Sequence, residues 1–224
     1  MRIVAVIPAY NEENRVHAAV ADVARFVDAV IVIDDGSSDN TVSEAEKAGA
    51  YVLIHPVNRG QGAAIQTGTD YALDVLDADI IVHFDADGQM SGEDIKSIIQ
   101  PIIEGSADVV LGSRFLGLKS NMPFGRLITN RLSWLFTLLV SGIKVTDAHN
   151  GFRAFGRHAA EEIRITLNRM AHASEILDQI KVRKLRYVER PVSIKYSSET
   201  LAKGQSFFNG FTVLKDYFKA KFLG

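Results

Sequence analysis

Ile80-Ile81-Val82-His83-Phe84-Asp85-Ala86-Asp87-Gly88-Gln89 joins an apolar run to two aspartates that flank one small residue, with a glycine closing the turn. A short apolar run with an abrupt polar stop reads as a buried strand ending in a loop. The same pattern recurs on either side of it. Ile3–Ile7 runs into Pro8-Ala9-Tyr10-Asn11-Glu12, Val30–Ile33 into Asp34-Asp35-Gly36-Ser37, and Tyr51–Ile54 is followed by Asn58-Arg59-Gly60-Gln61-Gly62. Val109–Leu111 adds a further run. Between them, Val16–Phe26, Thr41–Ala48, Ala63–Leu76 and Glu93–Ile103 read as amphipathic helices. Alternating strands and helices predict an α/β domain, a Rossmann-like and mostly parallel sheet flanked by helices on both faces. Ligands of such sheets gather at the carboxyl ends of the strands. The unusual polar loops of this chain fall at that edge, so they are read as one site.

Composition narrows the classes. The chain has 224 residues, 47% of them hydrophobic and 23% charged, which suits one folded domain with a large core. With 25 Lys and Arg against 27 Asp and Glu, the net charge is −2, and no global basic field draws the chain to nucleic acid. The absence of cysteine excludes disulfides, thiolate metal sites and cysteine nucleophiles, and fits a reducing compartment. No leader-like n-region and h-region precede the first strand, so export is not expected. The most apolar later stretch, Leu132 to Val140, is interrupted by Ser133 and Thr137 and is about half of the ~20 residues a spanning helix needs.

Past Phe115 the alternation gives way to a loop with Gly117, Pro123 and Gly125. A helix from about Leu127 to Ser141, the stretch Thr146–Phe155, a helix near Ala173–Val182, a strand near Arg186–Val192 and a terminal helix near Phe207–Phe222 follow. Only a soft boundary is expected, near residue 115.

The turn Asp85-Ala86-Asp87-Gly88-Gln89 carries the sharpest chemistry. Two carboxylates and an amide at a strand end suit a hard cation such as Mg²⁺ or Mn²⁺, which keeps positions free for water or phosphate oxygens. An isolated acidic turn is more often a solvated one; its place beside three other polar loops favours the cation. In Asp34-Asp35-Gly36-Ser37-Ser38-Asp39-Asn40-Thr41, Asp39 or Asn40 caps the following helix, while Asp34 or Asp35 can accept bonds from ribose or base groups. Two adjacent carboxylates require a compensating partner. Gly60 and Gly62 either turn backbone N–H groups toward an anion or serve packing. They do not complete a dinucleotide fingerprint, because position 65 is Ile. The six histidines show no i, i+4 pair, and surface or core positions are expected for them.

Ile7-Pro8-Ala9-Tyr10-Asn11-Glu12-Glu13, Val32-Ile33-Asp34-Asp35-Gly36-Ser37, Asp85-Ala86-Asp87-Gly88-Gln89, Gly112-Ser113-Arg114-Phe115 and Asp147-Ala148-His149-Asn150-Gly151-Phe152-Arg153 together resemble the family 2 glycosyltransferases of the GT-A fold. The similarity is to the branch of dolichyl-phosphate mannose synthases and polyprenyl-phosphate glucosyltransferases, and it covers nearly the whole chain. It implies inverting, metal-dependent transfer of a hexose from a nucleotide sugar to a polyprenyl phosphate. It also implies a single GT-A domain, with a nucleotide-sugar half over residues 1–115, an acceptor half over 116–206 and an amphipathic tail over 207–224.

Carried over by residue, the resemblance sets Pro8, Tyr10, Glu12 and Ile33 around the nucleoside, with Asp35 on the base or ribose. Asp85, Asp87 and Gln89 serve the metal, with Ala86 beside the diphosphate and Lys203 in a late basic loop closing over it. Arg114, Arg126, Asn130 and Arg131 face the acceptor phosphate; Ser is usual in the family at the positions of Asn130 and Asn150. Asp87 and Arg114 are the expected catalytic groups, with Asp147 either a general base for a hydroxyl acceptor or an orienting group for a phosphate one. An acceptor phosphate is already anionic and needs little activation.

Phe207, Phe211, Leu214, Phe218 and Phe222 keep helical spacing among Lys215, Lys219 and Lys221, and form either a basic membrane-binding face or an ordinary terminal helix. Trp134, Leu135, Phe136 and Leu138 offer a second apolar surface. The expected partners are a nucleotide sugar, a lipid-linked acceptor and the cytoplasmic face of a membrane, reached peripherally or through a membrane-anchoring subunit. The rival readings are transfer to a glycan or soluble hydroxyl and a non-catalytic nucleotide-sugar-binding subunit. The Q-x-x-R-W motif of processive synthases is absent, which favours one sugar per acceptor.

Overall fold

A computed structural model describes residues 1–116, 143–148, 150–167 and 171–193. The first four strands are β1 (Ile3–Ala9), β2 (Ala29–Asp34), β3 (Tyr51–Ile54) and β4 (Ile80–His83), separated by α1 (Val16–Val23), α2 (Thr41–Lys47) and α3 (Gln61–Asp74). A short 3-10 turn, Gly92–Asp94, leads into α4 (Ile95–Ile103), then β5 (Val109–Ser113) and β6 (Arg153–Gly156). The described chain closes with α5 (Arg157–Glu162), α6 (Ala171–Val182) and β7 (Tyr187–Pro191). The apolar runs and amphipathic stretches read from the sequence thus become elements in the expected order. The helices expected near residues 127–141 and 207–222 lie outside the described residues.

The strands form one seven-stranded sheet in the order β3-β2-β1-β4-β6-β5-β7. All pairs are parallel except those of β6, which runs antiparallel to both β4 and β5. Strands β6 and β7, past the boundary expected near residue 115, therefore join the same sheet as the strands before it. Right-handed crossovers need helices on both faces, and alternate residues of β1 face opposite ways to meet them. Val4 and Val6 pack with Ala64, Ile65, Ala72 and Leu73 of α3 and Ile176, Leu177 and Ile180 of α6. Ala5 and Ile7 pack with Val16, Val20 and Val23 of α1 and Ile95, Ile98 and Ile99 of α4. Helix α3 lies so close to the sheet that a Cβ on Gly68 would come within 2.4 Å of Ile33 Cδ1 and 2.5 Å of Val6 Cγ1. Glycine at 68 permits that approach, which fixes where the N-terminus of α3 meets the ends of β2 and β4.

Candidate active site

The loop after β1 is stitched to the loop after β2. Asn11, at φ 55°, donates its backbone N–H to Ser37 Oγ at 2.8 Å and accepts the Ser38 N–H on Oδ1 at 2.9 Å. The Glu12 N–H bonds Thr41 Oγ1 at 2.8 Å, and the Glu12 carboxylate pairs with Arg15 at 2.7 Å. Asp39 accepts the Thr41 N–H at 3.0 Å and the Glu13 N–H at 3.2 Å, whereas the Asn40 side chain makes no cap. Of the two capping residues weighed, Asp39 carries the bond. Tyr10 stands 50% exposed above this platform, and Ile33 is buried beneath it.

Asp35 is buried, and its oxygens accept bonds from the chain itself: His55 Nδ1 at 2.8 Å and the Arg59 N–H at 2.9 Å on Oδ1, the Gly60 N–H at 2.7 Å on Oδ2. His55 Nε2 continues the chain to Thr67 Oγ1 at 3.0 Å. This is the compensation that two adjacent aspartates demand, and Asp34 adds an accepted bond from the Ser37 N–H at 3.1 Å. The N–H groups of Arg59 and Gly60 therefore point at Asp35, not at an outside anion. Gly62 is tight for another reason, since a Cβ there would sit 2.2 Å from the Leu167 carbonyl oxygen. The packing reading of these glycines replaces the anion cradle.

At the end of β4, Asp85 Oδ1 accepts Gln61 Nε2 at 3.0 Å, and Asp87 Oδ1 accepts the Gln89 N–H at 2.9 Å in a turn closed by Gly88 at φ 74°. Burial and the nearby Asp87 charge push the Asp85 carboxyl up to about 6, against the opposing pull of Arg153, Gln61 and Arg114. Burial raises Asp87 as well, partly offset by the Gln89 N–H and the charge of Arg15. In both carboxyls burial outweighs the pull of the nearby arginines, so added positive charge would favour their ionised forms, and a hard divalent cation matches both their charge and their oxygen chemistry. No group of three or more His, Cys, Asp or Glu able to hold a metal occurs among the described residues. Ala86 is buried between the two aspartates.

Across the same edge, Arg114 grips Asp147 by two bonds, Nε to Oδ2 and Nη2 to Oδ1, both 2.6 Å, and its backbone N–H adds a third at 3.1 Å. Glu189 of β7 braces this corner by accepting the Thr146 N–H at 2.8 Å and the Asp147 N–H at 3.3 Å. Beneath it lies Arg153, 2% exposed, whose charge acts on both Asp85 and Asp147 and whose guanidinium burial drives down to about 10. Its neighbour across the ladder, His83, is held neutral by burial, at about 3.

The structure thus gathers Pro8, Tyr10, Glu12, Asp35, Asp85, Asp87, Gln89, Arg114 and Asp147 at one sheet edge. Arg126, Asn130, Arg131 and Lys203 lie outside the described residues. From sequence no role is assigned to His55, Gln61, Arg15, Arg153 or Glu189, although Gln61 lies in one of the polar loops and Arg153 in a motif that carries the resemblance. A histidine closing a strand run opposite Asp34-Asp35 is a usable signal for His55, but nothing local marks Arg15 or Glu189.

Residues 4–164 match the family described as Glycosyl transferase family 2. The chain is 35% identical over 230 residues, 93% of this chain and 91% of the other, to a UDP-N-acetylglucosamine–dolichyl-phosphate N-acetylglucosaminyltransferase of Methanococcus voltae. It is 30% identical to the polyprenol monophosphomannose synthase of Mycolicibacterium smegmatis, over 72% of this chain and 64% of that protein. The fold is shared with glucosyl-3-phosphoglycerate synthase of Mycobacterium tuberculosis, solved with Mn²⁺ and uridine-diphosphate-glucose, at a TM-score of 0.72 and 18% identity, over 96% of this chain and 75% of that one.

Proposed function

The chain belongs to glycosyl transferase family 2, and on that premise we propose that it moves one hexose-type sugar, with inversion, from a nucleotide sugar to a polyprenyl phosphate at the cytoplasmic face of a membrane. The observation that carries this reading is the pairing of two crowded carboxylates, Asp85 and Asp87, with a guanidinium fixed at the same edge, Arg114, whose charge reaches Asp85. The carboxylates would hold the cation that serves the donor diphosphate, and Arg114 would offer its guanidinium to an anionic acceptor. The names of the two relatives support the acceptor class, and the solved neighbour supports the donor class.

Asp85 and Asp87, with Gln89 beside them, would hold Mg²⁺ or Mn²⁺, which supplies charge stabilisation for the departing nucleoside diphosphate. Pro8, Tyr10 and Glu12 line the nucleoside, and exposed Tyr10 offers its ring to the base. Asp35 contributes by pinning the Arg59–Gly60 turn, which seats α3 and with it Gln61 against Asp85. A phosphate nucleophile needs no base, and Asp147 spends both oxygens on Arg114. Asp147 therefore orients Arg114, and Arg114 steers the acceptor oxygen.

Among the described residues no helix is long and apolar enough to cross a membrane. The basic aromatic stretch from Phe207 to Phe222 is the candidate contact with the membrane that holds the lipid acceptor.

The test is a panel of nucleotide sugars incubated with Mg²⁺ or Mn²⁺, with and without a short-chain polyprenyl phosphate. A sugar-phosphoryl-lipid product that disappears with EDTA is expected. Transfer only to hydroxyl acceptors, or binding without turnover of any donor, overturns the proposal.

A further inference from the structure

We propose that Gly151, supplied by the acceptor half of the chain, is the residue that sets the position of the Asp85 carboxylate. The inference rests on the reading of Asp85 as a cation-holding group. Strands β4 and β6 run antiparallel, with His83 opposite Arg153. Continuing that ladder two residues beyond β4 brings Asp85 opposite Gly151. There the fit is close: a Cβ on residue 151 would lie 2.5 Å from Asp85 Oδ2, 2.9 Å from Oδ1 and 3.0 Å from Cγ. These are the nearest atoms it would meet, and all belong to that one carboxylate. Gly151 is not among the glycines with positive φ, so the backbone here suits any residue and glycine answers to space alone.

Bonds on both sides hold this contact in place. On one side Gln61 Nε2 donates to Oδ1 at 3.0 Å, and Gln61 is the first residue of α3. On the other side residue 151 is held by its neighbours, since buried Asn150 accepts the Phe152 N–H on Oδ1 at 3.0 Å and the Gly112 N–H bonds the Phe152 carbonyl at 2.9 Å. Phe152 itself is fully buried against Phe84, rings 5.3 Å apart and edge-on. A methyl group at 151 would therefore displace the Asp85 carboxylate and break its bond to Gln61. Gly151 acts through Asp85 and is a positioning residue.

The test combines Gly151→Ala, Asp85→Ala and the double variant, measured for thermal midpoint and for Mn²⁺ binding by calorimetry in the presence of UDP or GDP. We expect Gly151→Ala to weaken Mn²⁺–nucleotide binding at least tenfold and to lower the midpoint. In the Asp85→Ala background the same substitution costs no further stability, because the atoms it meets are gone. Should Gly151→Ala alone fail to fold, a double variant as stable as Asp85→Ala carries the same support. Binding by Gly151→Ala within twofold of wild type, or an equal fall in midpoint in both backgrounds, overturns the inference. Wild-type protein that binds no Mn²⁺ with either nucleotide overturns the cation reading instead, while the stability cycle still decides the Gly151–Asp85 contact.

Discussion

Replacing Asp147 with Asn tests the acceptor corner. The change keeps the shape of the side chain but removes its charge and one of the two acceptors that face Arg114 at 2.6 Å. The amide NH₂ then opposes an N–H of the guanidinium. Breaking a buried pair by removing one partner costs about 3–5 kcal/mol. Here the Asp147 side chain is 3% exposed but that of Arg114 is 19% exposed, so solvent recovers part of the loss. A cost of about 2–4 kcal/mol follows, which for a domain of this size lowers the thermal midpoint by roughly 5–15 °C. Denaturant titration measures the first figure and calorimetry the second. The same variant should lower kcat/KM for the lipid phosphate by at least tenfold, about 1.4 kcal/mol. If Asp147 works only by holding Arg114, Asp147→Asn combined with Arg114→Met is no worse in catalysis than Arg114→Met alone. Losses that multiply, or a stability cost under about 1 kcal/mol, would refute this account and restore Asp147 as an independent base.

Asp87→Asn should remove nearly all transfer while leaving the thermal midpoint close to wild type; EDTA and this variant both leaving the rate within about threefold, under ~1 kcal/mol, would sink the cation assignment. Asp85 titrates near 6 in the folded protein against an ordinary value of 3.8, so the ligand-free fold favours its protonated form. Its ionisation therefore costs stability as pH rises between about 4 and 6, and Asp85→Asn should be more stable than wild type above pH 6 and lose that advantage below pH 4. An advantage independent of pH in chemical denaturation would contradict the assignment. Deleting the chain after Ser206 should reduce sedimentation with anionic liposomes and transfer to long-chain acceptors, and spare transfer to a short soluble one; each lysine lost there removes up to about 1 kcal/mol of surface attraction, so binding should also fade with salt.

The alternation of apolar runs and amphipathic stretches was legible because both are local. A buried parallel strand must be apolar on both faces, and a covering helix must show a stripe, so the runs Ile3–Ile7, Val30–Ile33 and Ile80–Phe84 mark the strands Ile3–Ala9, Ala29–Asp34 and Ile80–His83 to within two residues at each end. The loops that follow them fall at one edge by the geometry of parallel strands, and so Tyr10, Asp35, Asp85 and Asp87 group together from sequence alone. Local pattern has no access to pairing between distant segments. Strand β6 enters antiparallel between β4 and β5, with Ala154 buried on one face of the sheet and Phe155 on the other, and four residues of mixed character do not declare a direction. That placement alone brings Asp147 to Arg114 across 33 residues of chain, buries Arg153 beneath both aspartates, and lays Gly151 against Asp85. The same holds for Asp35, whose oxygens were legible as acceptors but whose donors come from His55, Arg59 and Gly60, twenty and more residues away. The chemical types at the site are written in the sequence; which of them meet, and which are consumed by holding the others in place, is decided by strand order and by packing across the sheet.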